Sequence, residues 1–585
     1  MINKLFISII FFLSLQFSSK AQLLYSFGAD SNDVISNIVL DKFGNFYVAA
    51  NFSNTIILEK SSNQKISSKN HSQDILLAKF NAFGKLIWFR KIGSAAKDEI
   101  HDLKMDTYGN LFLVGYFNEE CNFESPSKKT NLISNGKTDG FVAKYISTTG
   151  DLDWAFQIGG ENNDDIQSIC IDKADGILVS GRFTKKIDAD NSAQQHLLIS
   201  TADKTDYTTA FIARYNAYDA KFIFATTIGI TNNNNSFQSQ SCVEADEKNY
   251  YYLLTTFTDE IDINPNGSPI KYASAGKNDL VLIKFDINGK IIESTVIGGT
   301  ENEICNNKCM GINKSNEIII AFSYQSNCKI EGKKKSVTLS AKAESDLAII
   351  KFNNKLSEII FNTSLSQNGV MANNQILIDD NNQIWLAGYS KLKFKTPADK
   401  NQKTSSSIYV APLNNYFIYH LNNEGKIMTQ KTNSNLTENC AFHSLQYNCF
   451  SHDLYVTGNY SSSFIWGDFT FKSKGKKDFF VFKLKDDFSN WKLSRNDTSS
   501  NLTTDNFSID VKTNAQSTLL NIKYFADKSK NQNISLIDYQ GKIIKQILAP
   551  KQSSGLQQIF YDISFLAAGE YFIKQDEKFK CFIKN

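Results

Sequence analysis

Short runs of alternating apolar and polar residues, grouped in fours, cover most of this chain. In the clearest group they lie at 100–105, 111–117, 140–145 and 152–158. Alternation with a period of two over such lengths predicts strands that bury one face. The first two runs are joined by Asp106-Thr-Tyr-Gly109-Asn110, in which Gly tolerates a positive φ and Asp bonds nearby backbone. The same joint recurs as Asp41-Lys-Phe-Gly44-Asn45 and Asp172-Lys-Ala-Asp-Gly176, with weaker forms at Asp246, Asn313 and Asp379. Cys449 replaces the Asp in the last copy. Nothing in the pattern predicts a helix.

The whole group returns seven times at intervals of 63 to 70 residues, with Lys79, Lys144, Arg214, Lys284, Lys351, His420 and Lys483 in equivalent places. A fixed period of that size marks a stacked or closed repeat architecture. Four strands per copy predict a seven-bladed β-propeller over residues 22–493, followed by a small C-terminal β-sandwich. An open β-solenoid is the alternative, although its repeats are usually shorter per layer. The clearest copy reads Asp139-Gly-Phe-Val-Ala-Lys144-Tyr145, Gly150-Asp-Leu-Asp-Trp154 and Ile158-Gly159. These motifs resemble the SBBP type of bacterial β-propeller repeat, whose pattern runs D-x-F-V-x-K-Y, G-x-x-x-W, I-G-G and D-x-x-G-N-x-Y-V-x-G. The resemblance spans residues 23 to about 492 and fades in later copies, where Glu293 and Thr429 stand near the position of Trp88 and Trp154. It implies the fold and no particular chemistry.

One fragment stands outside the count. Leu23-Leu-Tyr-Ser-Phe27-Gly28 matches the end of a fourth strand with no first three strands ahead of it. It is expected to complete the last blade and close the ring, in competition with residues 488–493.

Composition narrows the function classes. With 44 Phe, 24 Tyr and only 6 Pro, the chain favours extended strands over disorder. A net charge of +3 spread over 585 residues forms no basic stripe of the kind a nucleic-acid binder carries. At the N-terminus, Lys4 precedes an apolar run of 13 residues, and small residues stand before a cut between Ala21 and Gln22. As a helix that run spans about 20 Å, too short for a hydrocarbon core of about 30 Å. Residues 1–21 therefore read as a secretory signal, a membrane anchor being the alternative. No later segment is long and apolar enough to span a bilayer as a helix.

The nine cysteines show neither CxxC nor a Cys/His quartet at zinc spacing. Cys242 and Cys309 occupy equivalent places and are expected at one height on neighbouring blades. Most of the cysteines read as small buried strand residues, with a disulfide as the minority expectation.

Past Trp491 the composition changes. Residues 494–506 are Ser, Thr, Asn and Asp with almost nothing apolar, which predicts a linker. Seven short strands follow within 507–585 and suggest a small β-sandwich. This tail resembles the C-terminal sorting domain of type IX secretion substrates of Bacteroidetes-like bacteria. The resemblance rests on Ile537-Asp-Tyr-Gln-Gly541-Lys542-Ile543-Ile544, Leu566-Ala-Ala-Gly569-Glu-Tyr571-Phe572-Ile573 and Lys580-Cys-Phe-Ile-Lys584. The usual Tyr-Pro-Asn-Pro opening is absent, and Cys581 and the terminal Asn585 are atypical. The resemblance implies that Gly541, Gly569, Tyr571 and Lys584 belong to a sorting signal and that the type IX machinery is a partner. The chain would then cross the periplasm to be secreted or held at the outer cell surface.

No catalytic constellation is legible. The six histidines (His71, His101, His196, His420, His443, His452) form no HExxH, and neither Gly-x-Ser-x-Gly nor a phosphate loop occurs. His420 takes a Lys place in the repeat and reads as structural. Asp74, Asp139, Asp206, Asp279, Asp346 and Asp478 recur once per copy, without the clustering of a calcium loop, and read as caps at strand starts. No metal or cofactor is expected.

The connections between second and third strands (53–73, 118–138, 390–416) are the long ones, which makes that face of the disc the expected binding face. On the same face Asp33, Asp98, Asp164, Asp165, Glu301 and Glu303 suggest an acidic ring at the channel mouth, able to hold a cation or a basic ligand. The expected function is an exported module that binds an extracellular protein or glycan. An extracellular enzyme acting on polysaccharide through paired carboxylates, or a structural surface-layer component, are the alternatives.

Overall fold

The alternating runs become strands, and the strands assemble in fours. In the computed structural model, residues 21–584 are described apart from 29–32, 60–63, 201–207, 233–239, 368, 393–412, 434–439, 450, 462, 467–468, 474–475, 485–507 and the turns at 515–516, 527–532, 539–542, 549–554, 567–568 and 576–577. The fold is a β-propeller with a small β-sandwich after it in sequence. The first unit pairs Val34–Leu40, Phe46–Ser53, Gln73–Phe80 and Leu86–Ile92 in antiparallel order, and the pattern repeats to give seven four-stranded units. Residues 1–20 and the expected linker at 494–506 lie outside the described residues.

The first strands of the units form an inner circle that can be followed bond by bond. Asn37 Nδ2 donates to Asp102 Oδ1 (2.7 Å), Ile169 N to Asp102 Oδ2 (3.3 Å) and Val243 N to Ser168 Oγ (3.3 Å). The path continues through Cys305 Sγ to Gln240 O (3.5 Å), Ile376 N to Lys308 O (2.9 Å) and Leu445 N to Gln375 Oε1 (2.6 Å). Ser444 Oγ then donates to Asn37 Oδ1 at 2.7 Å and the circle is closed. The orphan N-terminal strand supplies the missing outer edge. Ala21–Phe27 runs antiparallel to Asp478–Leu484, with Ala21 opposite Leu484 and Phe27 opposite Phe479. Its competitor, 488–493, lies outside the described residues.

The repeat's own residues pin one unit to the next. Lys284 donates to Asn354 O, Lys351 to Asn423 Oδ1 (2.8 Å) and Lys483 to Ala82 O (3.4 Å), each reaching the outer turn of the following unit. Trp88 Nε1 donates to Ser147 O (3.0 Å) and Trp154 Nε1 to Tyr218 O (3.1 Å) in the same sense. Across the sheet, Trp88 and Trp154 stand opposite Lys79 and Lys144. Where Glu293 and Thr429 replace Trp, the register to Lys284 and His420 is unchanged. The ring of His420 stacks on Trp385 at 3.9 Å, in place of the cation it replaces.

The long second-to-third connections differ from expectation. Much of their length is not loop but hairpin, such as Thr55–Glu59 with Gln64–Ser67 and Asn327–Ile330 with Val337–Ser340. The hairpin of the fifth unit bonds to the outer strand of the fourth, Ile297 lying opposite Ile330. The second unit does the same to the first, Ile92 lying opposite Phe123. The driving force is alternate apolar residues (Cys121 and Phe123, Ile187 and Ala189, Ile261 and Ile263, Cys328 and Ile330) that are buried in the junctions. Most of 390–416 lies outside the described residues.

After residue 507 seven strands form two sheets, one of three and one of four. Ile522 of the first sheet shares a core with Ile534, Leu536, Ile547 and Ile573 of the second, which is the expected sandwich. The three motif stretches meet in the second sheet. Asn533–Asp538 pairs with both Ile543–Leu548 and Gly569–Gln575, and Gly569–Gln575 pairs with Lys578–Lys584. Gly569 lies opposite Lys584, and Tyr571 is half-buried opposite both Asp538 and Phe582. Gly541 lies outside the described residues. Among the described residues no helix is long and apolar enough to cross a membrane.

Candidate functional site

The acidic residues at the start of the first strands sit on the expected face but point into protein. Asp33, Asp98, Asp164, Asp165 and Glu303 are buried. Glu301 alone of the six is partly exposed, held by Lys277 at 2.6 Å. In place of an open acidic ring, Asp33, Asp98, Asp164 and Glu303 are buried caps at the junctions, and Asp165 alone of the six lines a cavity in the bore. Asp98 Oδ2 accepts from Ser94 N (2.8 Å), Asp164 Oδ2 from Gly160 N (2.7 Å) and Glu303 Oε2 from Gly299 N (2.9 Å). Asp33 Oδ1 accepts from Ser53 N at 3.4 Å. The third-strand acids cap their own turns, Asp279 Oδ2 accepting from Ala275 N (2.8 Å) and Asp346 Oδ2 from Lys342 N (2.9 Å). Asp206 lies outside the described residues.

At three junctions these two kinds of acid face each other: Asp74 with Asp98, Asp139 with Asp164, and Asp279 with Glu303. The repeat's Gly makes the space. A Cβ on Gly93 would lie 2.8 Å from Asp98 Oδ2 and 3.0 Å from Asp74 Cγ, and one on Gly298 would lie 2.1 Å from Asp279 Oδ2. Two carboxyl groups so placed do not both ionise at neutral pH. Burial first, with the neighbouring acid, pushes Asp98 and Asp164 up to about 8 and Glu303 up to about 9. A thiol joins two of the pairs, Cys121 beside Asp98 and Cys328 beside Glu303.

The bore of the ring is crossed by a five-residue segment that the sequence reading passed over, Cys305-Asn306-Asn307-Lys308-Cys309. In the other units the first strand runs on. Here it breaks between Glu303–Ile304 and Met310–Ile312, and the intervening residues bulge inward. Asn307 Nδ2 donates to His101 O (3.1 Å) and Gln167 O (2.9 Å), which belong to the second and third units. Lys308 Nζ donates to Ser36 O of the first unit. The two flanking cysteines are buried, and both are free thiols, as is Cys242. Cys242 and Cys309 are neighbours, as their equivalent places predict, and are not bridged. The available signal was the doubled Asn and the Cys pair inside a stretch where other copies carry apolar strand residues.

Above this crossing lies a cavity of about 400 Å³, on the side of the docked hairpins. It falls within the range of about 300–1,000 Å³ typical of small-ligand sites. Its charged wall comes from the second and third units. Lys97 Nζ lies 2.7 Å from Glu99 Oε2 and donates to Tyr116 Oη at 2.6 Å, and Tyr116 Oη donates to Glu99 Oε2 at 2.9 Å. His101 Nδ1 bonds Ile166 O at 2.9 Å, which turns Nε2 toward Glu99 Oε1 at 3.8 Å. Burial pushes the Glu99 carboxyl up, but His101, Lys97 and Tyr116 outweigh it and hold it below its ordinary range. Arg182 grips Asp165 Oδ2 through Nε (3.0 Å) and Nη2 (2.8 Å). Among the described residues no carboxylate lies within ion-pair distance of Lys308, and burial, opposed by Asp102, pushes its ammonium down to about 8. His443 is half-buried near Lys308, and desolvation, with Lys308 and Lys477, holds its imidazole down to about 3.

The other histidines serve local bonds. His71 meets Asn54 Oδ1, His196 meets Ala225 O and His452 meets Tyr447 Oη. Among the described residues no three His, Cys, Asp or Glu side chains are arranged to hold a metal ion.

No family model matches the chain. An uncharacterised WD-repeat-containing protein of Acanthamoeba polyphaga mimivirus is 24% identical over 269 residues, covering 39% of this chain and 18% of that protein's length. Among solved structures, a europium-containing methanol dehydrogenase is similar at 8% identity and a TM-score of 0.34, over 80% of this chain and 94% of that one. PorZ, described as an essential surface component of the type IX secretion system of Porphyromonas gingivalis, is similar at 8% identity and a TM-score of 0.15, over 95% and 99% of the two chains. The extracellular domain of a hybrid two-component system protein from B. thetaiotaomicron is 11% identical with a TM-score of 0.16, over 94% and 98%. At these values none of the structures assigns an activity, and the propeller fold rests on the chain's own sheets.

Proposed function

We propose that this protein is an exported binding module that takes its ligand in the cavity above the Asn306–Lys308 crossing. The observation that carries the reading is the crossing itself. It turns an open bore into a floored, polar cavity, walled by several units at once on the face that bears the docked hairpins. The electrostatics support binding over hydrolysis. A glycosidase needs one carboxyl poised to donate a proton, with a raised pKa. Here Glu99 is held in the opposite direction, and Asp165 is occupied by Arg182.

The SBBP resemblance and the tail motifs supply the setting. The signal-like residues 1–21 lead the chain out of the cytoplasm, and the tail, with Gly541, Gly569, Tyr571 and Lys584, addresses it to the type IX machinery. The polar composition of 494–506 supports a boundary there, with the ring and the tail as separately folding domains.

Two measurements test this. A panel of extracellular glycans, sugar acids and peptides is titrated against the chain and against Gln240→Trp, which fills the cavity from its wall. The variant is expected to lose at least about tenfold in affinity for whatever the native chain binds. Ligands held equally by both would place the site elsewhere. Separately, a chain ending before Asn506 is expected to fold and to accumulate in the periplasm. Its arrival outside the cell at native levels would remove the sorting role from the tail.

A further inference from the structure

Among the described residues, four cationic side chains stand around the bore. Three are matched: Lys97 by Glu99 at 2.7 Å, Lys104 by Glu244 at 2.9 Å and Arg182 by Asp165 at 2.8 Å. Lys308 is the exception. It lines the cavity from the crossing segment, and among the described residues no carboxylate lies within ion-pair distance of it. An ammonium carries three donors. One is spent on Ser36 O. Of the groups around it, Asp102 attracts it, but from beyond ion-pair distance. Asp102, deeper in the bore, already accepts from Asn37 and Leu103 N on one oxygen and from Ile169 N on the other. Lys104 repels it, His443 is neutral, and Cys242 is a buried thiol held well above its ordinary range. Of the charges that line the cavity itself, Lys97, Arg182 and Lys308 face only Glu99 and Asp165. A half-buried cation with no ion-pair partner among the described residues gains from a ligand anion.

The rest of the wall carries no charge and joins an apolar strip, Val34 and Ile35, to polar groups. Gln240 presents its side-chain amide to the cavity, whereas Asn307 Nδ2 is spent on His101 O and Gln167 O, Gln167 Oε1 accepts from Ser241, and Tyr116 Oη is held between Lys97 and Glu99. A polar wall beside a short apolar strip suits the hydroxyls and the C–H face of a sugar ring.

We infer that the cavity binds a small polyhydroxylated monocarboxylate of the sugar-acid class, its carboxylate seated on Lys308 and its hydroxyls on the polar wall. This rests on the cavity reading above and adds the chemical class. A charge-assisted bond of this kind is worth at least about tenfold in affinity.

The test is a calorimetric titration with three sugars of one frame and different charge: D-glucuronate, D-glucose and D-glucosamine. Glucuronate is expected to bind at least about tenfold more tightly than glucose, and glucosamine more weakly than either. Lys308→Met is expected to erase the preference for glucuronate. Because Lys308 also anchors the crossing, the unaltered protein gives an independent readout. Its preference for glucuronate is expected to fade as the pH rises past about 8, where the ammonium is lost, while its affinity for glucose stays level. Equal binding of the three sugars, or a preference that ignores pH, overturns the sugar-acid assignment and leaves the cavity as the site. Failure of glucuronate while the wider panel yields a ligand blocked by Gln240→Trp has the same meaning. Failure of every ligand at the cavity overturns both readings.

Discussion

Raising the pH from 5 to 9 is expected to lower the unfolding temperature of the ring, against the common pattern in which stability holds toward neutrality. The cause is the set of paired acids at the unit junctions. Asp98, Asp164 and Glu303 have folded-state values of about 8, 8 and 9, well above those of the unfolded chain. The native state therefore binds more protons than the unfolded state throughout that interval. Stability contributed by these groups is complete below the unfolded values, near 4, and is lost progressively as the pH climbs to the folded ones. A charge forced into each buried junction costs roughly 1–3 kcal/mol.

Thermal unfolding followed by circular dichroism at several pH values measures the slope. Asp98→Asn and Glu303→Gln keep an oxygen for Ser94 N and Gly299 N but cannot ionise, so each is expected to flatten the slope and gain stability at pH 9. A flat profile in the native chain, or an unchanged slope in the double variant, would remove the paired acids as its cause. At the acid end the opposite sign applies. Asp172 is buried, but Arg214 and Tyr251 outweigh that and hold its carboxyl below the ordinary range. Its contribution is lost as the pH falls through that lowered value, so stability is expected to peak in mild acid.

Removing Ala21–Phe27 is expected to open the ring. That strand covers the outer edge of Asp478–Leu484 along its whole length and buries Leu24 against the first and last units. Without it the last unit has three strands, an unpaired edge and an exposed side of the shared core. Summing one buried Leu and the net worth of the lost ladder bonds gives on the order of 5 kcal/mol. Urea unfolding measures it as a large fall in midpoint, with a broad or split transition once closure is gone. Ala21 lies opposite Leu484, so the same residues moved to follow Leu484 through a two-residue turn form an ordinary hairpin. That rearranged chain is expected to recover the native midpoint. If the simple deletion unfolds like the native chain, closure by this strand is wrong.

The residues that could be read from sequence are those whose role is local or repeats with the period. Asp106 and Gly109 announce a tight turn because the turn needs a cap and a positive φ, and Gly109 has φ of 86°. The seven strands of the tail follow the same way from alternation and turn residues. The N-terminal strand was legible because Leu23 to Gly28 carries the outer-strand pattern with nothing to pair with inside its own copy.

The functional site was the opposite case. Acidic residues at equivalent places looked like a solvated ring, since sequence shows their recurrence but not what faces them. Only the assembled junction reveals that Asp98 meets Asp74 across Gly93 and that burial, with this neighbour, pushes the Asp98 carboxyl up. Long polar connections likewise looked like free loops, until alternate apolar residues such as Cys328 and Ile330 found a partner edge on the neighbouring unit. The crossing segment was the least legible of all. Asn307 and Lys308 carry no motif, and their bonds reach residues 101, 167 and 36, more than a hundred positions away. Periodicity determined that the chain closes into a ring of four-stranded units, because it reflects contacts each copy makes in the same way. What fills the bore arises from one copy departing from the period, and the ring's closure, which brings distant units around a single axis, decides what that departure touches.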